Sequence, residues 1–231
     1  MIRAVLFDVG GTLFEDRDDA SDAVRLARLQ TILPCGDSWH AQLLAPRLEP
    51  LVYHEPTHTQ DTRGAIRHVL ERNGTTADDA LVERIRAACC VPLSAAGAAP
   101  RIGALDALRH AKRRGLTVAL VTNVLWRTQA DVLADWATFG FAEVDSAVTS
   151  LDVGRYKPHP AMFERALTDL HIAGPDAVMV GNSREADIAP AKRLGMRAVL
   201  VSSREASWSE VLPDAEVAEM IDLPAVLDRW V

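Results

Sequence analysis

The chain has 231 residues, 48% hydrophobic and 25% charged, with a formal net charge of −7. These are ordinary values for a globular protein with a filled core, and the acidic balance argues against a nucleic-acid groove or an anionic membrane surface as partner. No run is apolar for long enough to span a bilayer, and Cys35, Cys89 and Cys90 are too few and too irregular for a disulfide framework or a zinc site. With Asp8 interrupting the opening apolar stretch, no signal peptide is expected, and the chain reads as soluble, reduced and cytoplasmic.

The first predicted element is a buried strand over residues 5–9, a short β-branched and aromatic run closed by Gly10-Gly11-Thr12. Asp8 stands at its exit, where open α/β sheets bind ligands. That makes it a candidate nucleophile, with turn capping as the ordinary alternative. Residues 19–92 then carry helical spacing and no convincing strand, with Val24, Leu26, Leu29 and Ile32 near one face of residues 20–33 and the trend continued over 65–70 and 81–88. Pro34, Pro46, Pro50, Pro56 and the Asn73-Gly74 pair divide this region into short helices. An all-helical insert after a first strand predicts a separate cap over residues 16–99, with residues 95–100 as its hinge to a core of 1–15 and 100–231.

From Arg101 onward the pattern alternates. A helix is expected over 102–114, a strand over 117–121, a helix over 128–138 and a short strand near 147–148. These are followed by a helix over 160–170, a strand over 177–180, a helix over 185–194 and a strand over 198–201. Strands alternating with amphipathic helices predict an α/β fold, a parallel sheet covered on both faces. There is no internal repeat or low-complexity tract.

Four segments carry chemistry: Asp8-Val9-Gly10-Gly11-Thr12, Val121-Thr122-Asn123, Gly154-Arg155-Tyr156-Lys157-Pro158 and Gly181-Asn182-Ser183-Arg184-Glu185-Ala186-Asp187. Three follow predicted strands, so a parallel sheet gathers them at one edge, which the loop bearing Lys157 can reach. Carboxylate, hydroxyl, ammonium and second carboxylate suit phosphoryl transfer. Asp8 would attack phosphorus and form an acyl phosphate. Thr122 and the N–H groups of the Gly10-Gly11 turn, with Asn123 beside them, would hold the phosphoryl oxygens. Lys157 would keep Asp8 ionised and offset phosphoryl charge. Asp187, Asp8 and the carbonyl of Gly10 are hard oxygen ligands of the kind Mg2+ requires. The plainer alternatives are a strand-end hydroxyl for Thr122 and a helix cap for Asp187. Lysine occurs only at 112, 157 and 192, and Lys112 and Lys192 sit beside arginine in amphipathic helices as solvated charges.

As LFDVGGTL, ALVTN, SLDVGRYKPHPAMFERAL and VMVGNSREADIAPAKRLGM, these segments resemble, in order and separation, the motifs of the haloacid dehalogenase-like hydrolase superfamily, over residues 1–14 and about 100–205. The resemblance implies a Rossmann-like core, a C1-type cap, an aspartyl nucleophile, usually Mg2+, and most often phosphatase activity on small phosphorylated metabolites. Two positions depart from it. Gly10 stands where the family's phosphatases place a second aspartate as general acid and base, a function worth ~10²–10⁴-fold. Asn182 stands where a metal-binding aspartate is common; its amide oxygen can still ligate but brings no charge, so weaker Mg2+ binding is expected, with Asp187 taking more of the load.

Two alternatives remain. One is a metal-independent 2-haloacid dehalogenase-like hydrolase in which Asp8 attacks carbon, although the aromatic residue such enzymes carry at the Gly10 position is absent. The other is a catalytically weak binding protein on the same fold. In the insert, Glu15, Asp16, Asp18 and Asp19 are candidates for a replacement acid or a solvated charged face. His40, His54, His58, Trp39 and Tyr53 are candidate substrate contacts or ordinary core and surface residues. The cap has no lysine, which argues against a Schiff-base step from it. Trp126 and Arg127 either line the pocket mouth or pack on the next helix. Substrate identity and oligomeric state are not legible.

Overall fold

The computed structural model describes residues 1–15, 21–33, 40–201 and 210–231; Asp16, Asp18, Asp19, Cys35 and Trp39 lie outside them. In chain order, strand β1 (Ala4–Phe7) is followed by helices α1 (Ser21–Ile32) and α2 (Ala45–Val52), a hairpin of β2 (Tyr53–His54) and β3 (Thr59–Gln60), and helices α3 (Thr62–Arg72) and α4 (Asp79–Cys89). Next come α5 (Ala104–Arg113), β4 (Thr117–Thr122), α6 (Gln129–Thr138), β5 (Ser146–Thr149), the single turn α7 (Ser150–Val153) and α8 (Ala161–Asp169). The chain closes with β6 (Ala177–Gly181), α9 (Ala189–Arg193), β7 (Arg197–Val201), β8 (Ala215–Val217) and α10 (Leu223–Leu227).

Six strands form one parallel sheet in the order β5-β4-β1-β6-β7-β8. The chain moves outward from β1 through β4 and β5, then crosses back to β6 on the other side of β1. That reversal opens a crevice at the strand C-termini beside β1, the switch point where open α/β sheets bind ligands. β1 lies in register between β4 and β6, with Phe7 opposite Leu120 and Val180, and Ala4 to Phe7 are wholly buried. Its side chains alternate between two packed faces, as strand geometry requires. Val5 and Phe7 join Val118, Leu120, Val178, Leu108, Trp136 and Leu227 on one side. Ala4 and Leu6 join Ala119, Val121, Met179, Met162, Phe163 and Ala166 on the other.

Helices α1 to α4 enclose a separate apolar cluster that includes Leu29, Leu48, Ile66, Leu70, Val82 and Ile85. Leu125 and Trp126, from the loop after β4, insert into it. Trp126 is therefore a packing residue, and Arg127 is tied to the Asp135 carboxylate at 2.9 Å and the Val91 carbonyl at 2.6 Å. His40 is fully buried, with Nε2 2.8 Å from the Leu33 carbonyl, and so belongs to this interior.

The insert is not purely helical. β2 and β3 are only two residues each, too short for a period to show, and Pro56 in their connection reads in sequence as a helix breaker. The helix expected over 185–194 starts instead as a wide turn, Arg184–Ile188, with five-residue hydrogen-bond spacing, before α9. β8 and α10 extend the sheet and its cover beyond the predicted elements. No helix among the described residues is long and apolar enough to cross a membrane.

Candidate active site

Asp8 follows β1 and is only 6% exposed. Its N–H donates to the Val180 carbonyl at 2.9 Å, continuing the β1–β6 ladder by one rung. The chain then folds tightly over itself: the Val9 carbonyl accepts N–H bonds from Thr12, Leu13 and Phe14, while Gly11 adopts φ +70°, a left-handed conformation suited to glycine. This turn brings the buried Thr12 hydroxyl back to donate to Asp8 Oδ2 at 2.7 Å, and 3.4 Å from Asn182 Oδ1.

The other Asp8 oxygen accepts from Lys157. Nζ stands 2.6 Å from Asp8 Oδ1 and 2.7 Å from Asp187 Oδ1, so one ammonium joins the two carboxylates. Asp187 Oδ2 accepts the Ser183 N–H at 3.0 Å. Gly181, the last residue of β6, makes this seat possible: a Cβ there would lie 2.4 Å from Asp187 Cγ. The burial of the triad sets its electrostatics. Burial works to lower the Lys157 pKa, but the Asp187 and Asp8 charges, with a hydrogen bond to each, outweigh it and hold the ammonium above its ordinary value. Burial raises Asp187 to about 6, opposed by Lys157 and reinforced by Asp8.

Thr122 ends β4, is 4% exposed, and has no side-chain hydrogen bond among the described residues, which leaves its hydroxyl available to a ligand. It shares no hydrogen bond with Asp8. Asn123 is engaged elsewhere: Oδ1 accepts the Lys157 N–H at 2.8 Å and Nδ2 donates to the Lys157 carbonyl at 3.1 Å. In this arrangement it holds the lysine loop, although its sequence reading was as a substrate contact.

The β2–β3 hairpin braces the same loop from the other side. The Gln60 N–H donates to the Gly154 carbonyl at 3.0 Å, and Gln60 Nε2 donates to the Val124 carbonyl at 2.8 Å. The Tyr156 N–H donates to the His58 carbonyl at 3.1 Å, and Arg155 donates to the Thr57 carbonyl at 3.0 Å and to the Thr59 hydroxyl. Tyr53 and His58 pack edge-on against Tyr156, and His54 is exposed. Sequence reasoning missed Thr12, Ser183, Gly181 and Gln60 as supports. The only available signals were a glycine closing a strand and hydroxyl residues at the ends of tight turns.

The oxygen donors present fit Mg2+. Two carboxylates against one ammonium leave net negative charge at the crevice, and among the described residues the Asn182 amide oxygen has only a long contact to Thr12. Among the described residues no group of three His, Cys, Asp or Glu side chains assembles for a metal. Mg2+ commonly binds through one or two carboxylates completed by water and substrate phosphate, not through an all-protein cage.

A family model described as haloacid dehalogenase-like hydrolase matches residues 2–195. Ribulose-1,5-bisphosphate 5-phosphatase of Halopiger xanaduensis is 35% identical over 117 residues, 50% of this chain and 48% of that protein. Phosphoserine phosphatase of Thermus thermophilus is 36% identical over 115 residues, 49% of this chain and 45% of that protein. The chain thus spans about half the length of the curated relatives it matches. Among solved structures, a 2-haloacid dehalogenase from Pseudomonas syringae superposes with TM-score 0.66 at 25% identity over 100% of both chains. A HAD phosphatase from Thermococcus onnurineus superposes with TM-score 0.61 at 19% identity over 98% of both, a likeness of fold.

Proposed function

We propose that this chain, which belongs to the haloacid dehalogenase-like hydrolase family, is a Mg2+-dependent phosphatase of a small phosphorylated metabolite that works through an aspartyl phosphate at Asp8. The observation that carries this reading is the Lys157 ammonium between Asp8 and Asp187, with Thr12 on the other Asp8 oxygen. The phosphatase names of the sequence relatives support the substrate class.

Asp8 attacks phosphorus, with Thr12 fixing the carboxylate's orientation and the Lys157 ammonium offsetting the negative charge that gathers between carboxylate and phosphoryl group. The Thr122 hydroxyl and the N–H groups of Gly10 and Gly11 donate to the phosphoryl oxygens. Asp8, the Gly10 carbonyl, Asn182 and Asp187 would hold Mg2+, whose chemistry there is charge neutralisation on those oxygens. Asn182 supplies no charge, so the affinity for Mg2+ is expected to be modest. Residues 16–99 act as the cap over the core, excluding water during attack.

A second reading has one specific observation behind it: the full-length likeness to a 2-haloacid dehalogenase. There Asp8 would attack carbon and release halide. One experiment separates the two. Phosphate release from a panel of phosphorylated metabolites with Mg2+, present in the wild type and absent in Asp8→Asn, supports the phosphatase. Halide release from haloacids that persists in EDTA, without phosphate release, supports the dehalogenase.

A further inference from the structure

We infer that the site hydrolyses phosphates carried on weakly basic oxygens, such as acyl, enol or aryl phosphates, in preference to alkyl phosphate monoesters. This rests on the reading of Asp8 as the nucleophile. The argument is an inventory of protons. When the Asp8 oxygen bonds to phosphorus, the bond from phosphorus to the leaving oxygen breaks and its electron pair departs with that oxygen. An alkoxide must be protonated as it leaves, whereas a carboxylate, enolate or phenolate departs as a stable anion.

Among the described residues nothing at the crevice is placed to supply that proton. The turn after β1 offers Val9, Gly10, Gly11 and Thr12, the end of β4 offers Thr122 and Asn123, and the exit of β6 offers Asn182 and Ser183. Hydroxyls and amides of this kind are not acids near neutral pH. Glu15, exposed just beyond the turn, shares no hydrogen bond with the Asp8, Lys157 or Asp187 side chains, which leaves three ionisable groups among the described residues of the crevice. Asp8 is the group that reacts. Lys157 is 4% exposed and bound to two carboxylates, so releasing a proton would strip both of their counter-charge. Asp187 is 1% exposed, with one oxygen on Lys157 and the other on the Ser183 N–H.

The nearby hairpin and lysine loop supply no substitute. His58 Nδ1 faces Glu55 at 3.1 Å, His159 Nδ1 accepts the Ala161 N–H at 3.2 Å, and the Tyr156 hydroxyl donates to Glu55. None of the three has a hydrogen bond to Asp8, Lys157 or Asp187 side chains. The second half of the cycle needs less from the protein. Water attacks the phosphorus of the acyl phosphate, the phosphorus–Asp8 bond breaks, Asp8 returns as a carboxylate, and the water proton passes to phosphate and solvent.

The test uses the purified full chain with Mg2+ and three substrates of falling leaving-group acidity: acetyl phosphate, nitrophenyl phosphate and glycerol phosphate. kcat/KM is measured for the wild type, Asp8→Asn and Gly10→Asp. Gly10 is exposed and its φ is not positive, so no left-handed conformation demands glycine there. The expected wild-type series falls steeply from acetyl phosphate to glycerol phosphate. Gly10→Asp should raise the ratio of glycerol phosphate to acetyl phosphate kcat/KM, by up to the ~10²–10⁴-fold of a general acid. Asp8-dependent hydrolysis of glycerol phosphate as efficient as that of acetyl phosphate would overturn this inference and leave the nucleophile standing. No Asp8-dependent release from any of the three would overturn both. If Gly10→Asp does not fold, the wild-type series decides alone.

Discussion

Lys157 Nζ lies 2.6 Å from Asp8 Oδ1, although 149 positions separate the two residues along the chain. The contact makes the lysine a structural counter-charge, and under the proposed mechanism a catalytic group as well. In Lys157→Met, Asp8 and Asp187 share a buried site with no cation. Removing one partner of a buried pair destabilises by ~3–5 kcal/mol. Urea denaturation should show a loss of that order, and phosphate release should fall by at least ~10²-fold. Wild-type stability in this variant would mean that the carboxylates do not depend on the lysine.

Gly181→Ala tests the seat of Asp187. The added Cβ would fall 2.4 Å from Asp187 Cγ, inside a fully paired strand where the backbone has little room to yield. Overpacking of this kind costs about 1–3 kcal/mol. A lower Tm is expected together with a lower kcat, because the carboxylate must shift. Unchanged Tm and kcat would show that Asp187 has space the structure denies it.

The Asp187 carboxyl sets a pH dependence with a definite sign. In metal-free protein its pKa is raised from 3.8 to about 6, so between those values the folded state binds more protons than the unfolded chain. Stability should therefore decline as pH rises across that window, by a few kcal/mol at most at ~1.36 kcal/mol per unit. Lys157, raised above its ordinary value, contributes stability that persists through this window and is lost only at strongly alkaline pH. Urea melts in EDTA at the two ends of the window should show the decline in the wild type and a flatter response in Asp187→Asn. A rise in wild-type stability across the window would contradict the assignment.

Cys89 is fully buried, and burial pushes its thiol up to about 12. Thiolate is the reactive form, so native Cys89 should resist iodoacetamide near neutral pH and react only after unfolding. Peptide mapping by mass spectrometry reads this directly, with rapid native labelling of Cys89 as the contrary result.

Much of the core was legible because its physics is local. Buried parallel strands such as Ala4–Phe7 and Val118 to Val121 read as apolar runs, and α5 and α9 end close to Gly115 and Gly195. The β2–β3 hairpin was not legible: its two-residue strands are held by the bonds from Gln60 to Gly154 and Val124, far away in the chain. In the site, Asp8, Lys157 and Asp187 stood out because strand exits and scarce charges are visible in sequence. Thr12 and Asn123 took their roles from side-chain directions that only the folded turns define. Trp126 could be read two ways until the apolar cluster beneath the insert showed where its ring goes.

The most direct measurement is rapid-quench trapping within the first turnover, using acetyl phosphate labelled in its phosphoryl group, followed by peptide mapping. A base-labile phosphoryl group on the peptide containing Asp8, missing from Asp8→Asn, is the predicted result. Label on any other residue, or turnover with no protein-bound phosphoryl group at any quench time, would contradict the account.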